Sequence, residues 1–178
     1  MSQVIITCEH AKNVVPELVK KQFQGKEELL QSHRGLDIGA LALAHSIAKQ
    51  FHAELIIGEV SRLVVDLNRS IGNRSLYYDT VKTLPKLVLD EILNTYYFPY
   101  RRSVSEKIAK MIKRGRVLHL SIHSFTPVFD GIKREVDLGL LYDPKRELER
   151  LFCKKVKAEF HKRSNALCYM NKPYKGIS

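Results

Sequence analysis

The chain has 178 residues, 44% of them hydrophobic and 28% charged, proportions that fit one globular domain with a sizeable core. Its formal net charge of +11 raises nucleic acid or an anionic surface as a partner. No apolar run approaches the ~18 residues of a bilayer span, which excludes a membrane helix. The N-terminus, Met1-Ser2-Gln3-Val4-Ile5, has neither a basic start nor a long apolar stretch, so no secretory signal is expected. Three cysteines, Cys8, Cys153 and Cys168, form no CxxC pair. This argues against a disulfide framework and points to the cytoplasm.

Val4–Thr7 is a short β-branched run that predicts a buried strand, ending in a loop that closes at Pro16. Residues 17–32 are polar and without a clear period. Asp37 caps or opens a helix through about Phe51, with Ile38, Leu41, Ile47, Ala48 and Phe51 inward. Glu54–Val60 is a second strand, and Ser61–Arg69 follows without periodicity. Leu84–Asn94 is helical, and Pro99 separates it from a second helix at about 101–114. Val117–Ile122 is a third strand, Leu138–Tyr142 a fourth and Ala166–Met170 a fifth, with a helix at 145–162 between the last two. Strands alternating with helices predict an α/β sheet covered on both faces, and no repeat or linker divides the chain.

The charge is concentrated in two of these helices. Residues 101–116 carry seven basic residues against Glu106, and residues 145–163 carry eight against three acids. Together they account for the whole excess. Both stretches have an apolar stripe at helical spacing: Val104, Ile108, Met111 and Ile112 in one, Leu148, Leu151, Phe152, Val156 and Phe160 in the other. Neither interleaves bases with aromatics as a base-stacking surface would. Solvated helix faces are the simpler account, and a nucleic-acid or membrane partner is not expected.

In open α/β sheets, ligands bind beyond the carboxyl ends of the strands. That rule selects His10 and His123, each just past an apolar strand. A hydrolytic zinc site takes three protein ligands and leaves one position open. Two imidazoles could come from this pair, and the third ligand from Asp37, Glu9 or His33. The plainer alternative is that each histidine bonds the backbone of its own loop. Asp66-Leu67-Asn68-Arg69 offers a guanidinium fork for a carboxylate with an amide donor beside it, and Arg62 adds charge nearby. Ser61, Ser70, Ser121 and Ser124 lie outside any G-x-S-x-G elbow, and no phosphate-binding glycine loop is present.

Four segments occur in order: Cys8-Glu9-His10-Ala11-x-Asn13-x-Val15-Pro16, His33-Arg34-Gly35-x-Asp37-x-Gly39-Ala40, Ser61-Arg62-Leu63-x-x-Asp66-x-Asn68-Arg69 and His123-Ser124-Phe125-Thr126-Pro127. With the terminal Asn171-Lys172-Pro173-Tyr174, they resemble the N-formylglutamate amidohydrolase family, itself similar to zinc carboxypeptidases and aspartoacylases. The resemblance covers nearly the whole chain. It implies a three-layer α/β/α sandwich around a mixed sheet, phosphorylase/hydrolase-like, as one domain over residues 1–178.

The implied reaction is zinc- or other divalent-metal-dependent hydrolysis of an N-acyl amino acid, typically N-formyl-L-glutamate. His10 and His123 match metal-ligand positions, and Asn68-Arg69 matches a pair that holds substrate carboxylate. The carboxypeptidase-like pattern has Glu three residues after the first His, where this chain has Asn13. Asp37 is therefore taken as the third ligand, with Glu9 and His33 as alternates. Relatives run on past the position of Ser178 to a late Glu that serves as general base. The resemblance thus implies a chain incomplete at its C-terminus, with Glu9 as the available catalytic carboxylate and an exposed sheet edge that favours a homodimer. Two other functions fit the same sequence: a binding relative that keeps the carboxylate pocket without turnover, and a basic nucleic-acid binder.

Overall fold

A computed structural model describes residues 3–176 and resolves into two compact units, Met1–Phe125 and Thr126–Ser178. In the first unit, β1 (Gln3–Cys8) is the middle strand of a three-stranded sheet. A 3₁₀ turn (Glu17–Phe23) and a short helix α1 (Glu27–Gln31) follow it. Then come α2 (Ala40–Phe51) and β2 (Glu54–Ile57). After a buried irregular stretch the chain forms α3 (Asp79–Lys82), α4 (Lys86–Ile92), a π-turn (Leu93–Tyr97), α5 (Phe98–Ile112) and β3 (Val117–Ser121). The α/β class expected from the alternation is the observed one.

The strand order is β2-β1-β3 and both pairings are parallel: Ile5 faces Glu54 on one side and His119 on the other. The sheet of this unit is therefore parallel, not mixed. The reason is connectivity, since both partners of β1 return through helical crossovers, which bring strands back in the same direction. The side chains of β1 alternate. Ile6 and Cys8 pack on Ala40, Ala44 and Ala48 of α2. From the opposite face, the Gln3 Nε2 amide donates to the Met111 carbonyl of α5 at 2.8 Å. Helices on both faces make three layers.

The larger apolar cluster joins Val19 and Phe23 to Val60, Leu63, Val64, Val65 and Leu67, and to Ile92, Tyr97 and Tyr100. The stretch without periodicity is thus core, not surface. Its backbone is satisfied by irregular pairs: Asp66 N–H donates to Leu76 O at 2.8 Å and Tyr78 N–H to Leu63 O at 3.1 Å. Pro99 does not separate two helices. The Phe98 N–H bonds Leu93 O five residues back, and this π-turn carries α4 into α5 with the proline in the new first turn, where its missing N–H costs little.

In the second unit, β4 (Val128–Phe129) and β5 (Ile132–Lys133) form a hairpin around Asp130 and Gly131, both at positive φ, as a type I′ turn requires. Next come β6 (Leu138–Leu140), α6 (Glu147–Arg163) and β7 (Cys168–Met170), with β6 and β7 parallel. The predicted inward stripe of α6 is corrected here. Leu148, Leu151 and Phe152 are exposed, whereas Cys153 is buried and Val156 and Phe160 are half-buried. Two strands of three residues cannot cover the first turns of a 17-residue helix. On α5, Arg101, Arg102, Lys110 and Lys113 are exposed as expected of a solvated face, but so is Ile112, and the buried anchor is Tyr100. Among the described residues no helix is long and apolar enough to cross a membrane.

Gly58 fixes how the chain leaves β2. Its N–H donates to Cys8 O at 2.9 Å, and a Cβ there would stand 2.0 Å from the Glu9 carbonyl oxygen. Gly58→Ala is expected to destabilise the protein by ~1–3 kcal/mol, the usual range for overpacking, as read by urea unfolding.

Candidate metal centre

Three segments end at the carboxyl edge of the sheet. β1 delivers Glu9 and His10, β3 delivers Ser121 and His123, and the turn before α2 delivers Asp37. Asp37 N–H donates to His10 O at 3.0 Å, which ties that turn to β1. Asp37 does not cap α2. Gly39 occupies the cap position at φ 83 with no side-chain cap bond, and the Asp37 carboxylate turns inward.

Asp37 Oδ2 lies 3.3 Å from His10 Nδ1 and 2.8 Å from His123 Nδ1, and accepts from Ser124 N–H at 3.3 Å. The two imidazole rings are 4.9 Å apart, tilted by 57°. One ligand atom each from His10, Asp37 and His123 falls within 4.8 Å of the others. Two nitrogens and a carboxylate oxygen at that spacing form a donor set that fits a single zinc-like ion. These are the three residues expected from the sequence. The two alternates lie elsewhere: Glu9 contacts His123 from its other edge, and His33 Nδ1 accepts from Ile38 N–H at 3.4 Å. Asn13 donates to the Leu30 carbonyl at 3.0 Å and is structural.

The far nitrogens of both imidazoles also have partners. His10 Nε2 sits 2.7 Å from Asp66 Oδ1. His123 Nε2 sits 3.0 Å from Ser121 Oγ, 3.3 Å from Glu9 Oε2 and 3.3 Å from Asn68 Nδ2. Arg62 was expected to help hold substrate. Instead its guanidinium joins the two acids, with Nη1 on Asp37 Oδ1 at 3.1 Å and Nη2 on Asp66 Oδ2 at 3.2 Å. Arg69 is placed differently. Its Nε is buried without a hydrogen-bond partner, 3.8 Å from Asp66 Oδ2. Asp66 Oδ1 accepts from Asn68 N–H at 2.9 Å, an Asx-type turn that brings Asn68 and Arg69 to the rim.

Sequence reasoning missed Tyr97 and Tyr100. Tyr97, in the π-turn, donates to Arg69 O at 2.7 Å, and Tyr100 donates to Glu9 Oε1 at 2.8 Å. Reading Pro99 as a break hid the helix that presents both.

Burial alone would raise the carboxyls of Glu9, Asp37 and Asp66. Hydrogen bonds from His123, Ser121 and Tyr100 outweigh it at Glu9 and hold that group below the carboxylate range. Bonds with His10 and His123 do so at Asp37, and bonds with His10 together with the Arg62 charge do so at Asp66. At His123, burial favours the neutral ring, but the bonds to Asp37 and Glu9 win and push it up to about 9. Cys8 is buried among the alanines of α2, and burial pushes its thiol up to about 12.

The sequence model of the N-formylglutamate amidohydrolase family matches residues 2–178. The chain belongs to this amidohydrolase family. Among solved structures, the gene product Atu2144 from Agrobacterium tumefaciens is similar: 31% identity and a TM-score of 0.84, over 98% of this chain and 70% of that one. No curated protein matches the sequence.

The shifts set a pH window for stability of the metal-free protein. Three carboxylates held below their ordinary values of 3.8–4.5 stabilise the fold above that range, and the effect is lost progressively as pH falls below it toward their lowered folded values. His123, raised from 6.5 to about 9, stabilises fully below 6.5, and this is lost as pH rises toward 9. Urea unfolding with chelator present is expected to show greatest stability between about pH 4.5 and 6.5. A maximum at pH 8 or above would contradict this charge arrangement.

Proposed function

We propose that the protein is a zinc- or other divalent-metal-dependent amidohydrolase that removes the acyl group from an N-acyl amino acid, most simply converting N-formyl-L-glutamate and water to formate and glutamate. The observation that carries this reading is the convergence of His10, Asp37 and His123 within reach of one ion, beside a guanidinium with a buried, unpartnered donor. His10 and His123 would hold the ion through Nδ1 and Asp37 through Oδ2. A bound zinc supplies Lewis-acid polarisation of the acyl carbonyl and lowers the pKa of water.

The remaining steps belong to this chain's side chains. Arg69 presents a rigid fork to the substrate carboxylate, and Asn68 adds a donor beside it. Tyr97 and Asp66 hold that loop through the Arg69 carbonyl and the Asn68 N–H. Asp66 also fixes the His10 ring by accepting at Nε2, which leaves Nδ1 to face Asp37. Arg62 neutralises the two acids it bridges and so keeps them charged while buried. Three free buried cysteines accord with a cytoplasmic setting.

The protein loaded with zinc is expected to bind one ion per chain, to lose it on His10→Ala or Asp37→Asn, and to release formate from N-formyl-L-glutamate. Ion binding without release of any acyl group from N-formyl or N-acetyl amino acids would favour a binding protein of the same fold. For the substrate clamp, Arg69→Lys removes the fork but keeps the charge, and kcat/KM should fall ~10–100-fold, mainly through KM. An unchanged KM in Arg69→Ala would remove this assignment.

A further inference from the structure

We infer that Glu9 is the outer carboxylate that positions His123, acting directly and through Ser121 and held in place by Tyr100, and is not the base that activates water. The inference rests on the metal-site reading above and deepens it. It starts from which edge of each imidazole faces the centre. Both Nδ1 atoms meet Asp37 Oδ2, so both Nε2 atoms point away. At His10 the outward nitrogen meets a buried carboxylate, Asp66 Oδ1 at 2.7 Å. At His123 it meets Ser121 Oγ at 3.0 Å, and Ser121 in turn donates to Glu9 Oε2 at 2.6 Å. Each of the two histidines therefore has its own carboxylate behind it: Asp66 at His10, and at His123 Glu9, which is reached through the Ser121 hydroxyl and also lies 3.3 Å from Nε2 directly.

With an ion held at Nδ1, a consistent set of hydrogens follows. An Nδ1 with a free lone pair requires the proton on Nε2. That Nε2–H donates to Ser121 Oγ, and the Ser121 hydroxyl passes its own hydrogen to Glu9. Oε1 of Glu9 accepts from Tyr100 Oη at 2.8 Å. Both oxygens of this buried carboxylate thus accept from fixed protein donors, and Oε2 lies at the outer edge of the His123 ring, 3.3 Å from Nε2. A base must reach the attacking water on the inner edge.

The backbone explains the placement. Glu9 and His10 lie in the turn just past β1, where Glu9 meets Tyr100 of α5 and His10 meets Asp37. His123 spans the two sides, with Nδ1 on Asp37 and Nε2 toward Glu9.

Outer-shell carboxylates and base carboxylates respond oppositely to removal of charge. Loss of an outer-shell partner weakens metal affinity ~10–100-fold. Loss of a base costs ~10²–10⁴-fold in rate and leaves affinity alone. The experiment measures zinc dissociation constants by competition with a chelating dye for wild type, Glu9→Gln and Ser121→Ala, and then kcat at saturating zinc. Glu9→Gln should bind zinc ~10–100-fold more weakly, with kcat at saturation within several-fold of wild type.

Ser121→Ala, at an exposed strand end that tolerates truncation, should weaken zinc in the same direction with Glu9 intact. Unchanged zinc affinity in both variants overturns the inference while leaving the metal site standing. So does a collapse of kcat in Glu9→Gln at saturating zinc with its affinity unchanged. A wild-type protein that takes up no ion removes the metal-site reading itself, and this inference with it.

Discussion

The structure of the site depends on one buried carboxylate. Asp37 is 4% exposed, and an isolated ion at that depth is costly by several kcal/mol. It remains charged because four groups from separate parts of the chain converge on its two oxygens. These are His10 after β1, Arg62 in the buried loop, and His123 with the Ser124 N–H after β3. Each contact fixes a segment that no local propensity would fix. The loop between β2 and α3, packed by its own apolar residues, is tied to Asp37 through Arg62, which also pairs with Asp66.

Sheet topology then decides where this convergence can occur. From β1 the chain crosses by α2 to β2 on one side, and it later reaches β3 on the other. The carboxyl end of β1 is thus a switch point, where loops leave the sheet in opposite directions and open a crevice. Neighbouring parallel strands end side by side there, so histidines 113 residues apart in sequence come to 4.9 Å between ring centroids.

Much of this was legible in the sequence, and the gaps have physical causes. Strands β1, β2 and β3 are short, largely apolar runs with little competing pattern, and the strand-end rule then singles out His10 and His123. Asp37 has two readings, as a helix cap and as a ligand. The glycine at the cap position favours the second, because Gly39 adopts the left-handed turn without help from a side chain. Tyr100 and Tyr97 were hidden by Pro99, since a one-dimensional reading takes proline as a stop and cannot see a π-turn that absorbs it.

Asp130-Gly131 between apolar neighbours was a legible hairpin signal that was passed over, because the run on each side is only two residues long. The role of Arg62 was not legible at all. A guanidinium near an Asn-Arg pair looks like part of a substrate clamp until the second acid, Asp37, is seen beside it in space.

The donor set carries its own chemical meaning. Cys8 lies two residues from His10 but is packed among the alanines of α2. A thiolate, which favours closed structural zinc sites, is thereby kept out of the ligand set. What converges among the described residues is two nitrogens and one oxygen, one donor short of a closed tetrahedron. On a bound ion, three such ligands would leave one position open. A fourth protein donor would have strengthened binding and closed the site to chemistry. The outward bonds of His10 to Asp66, and of His123 to Ser121 and Glu9, add rigidity without occupying that position.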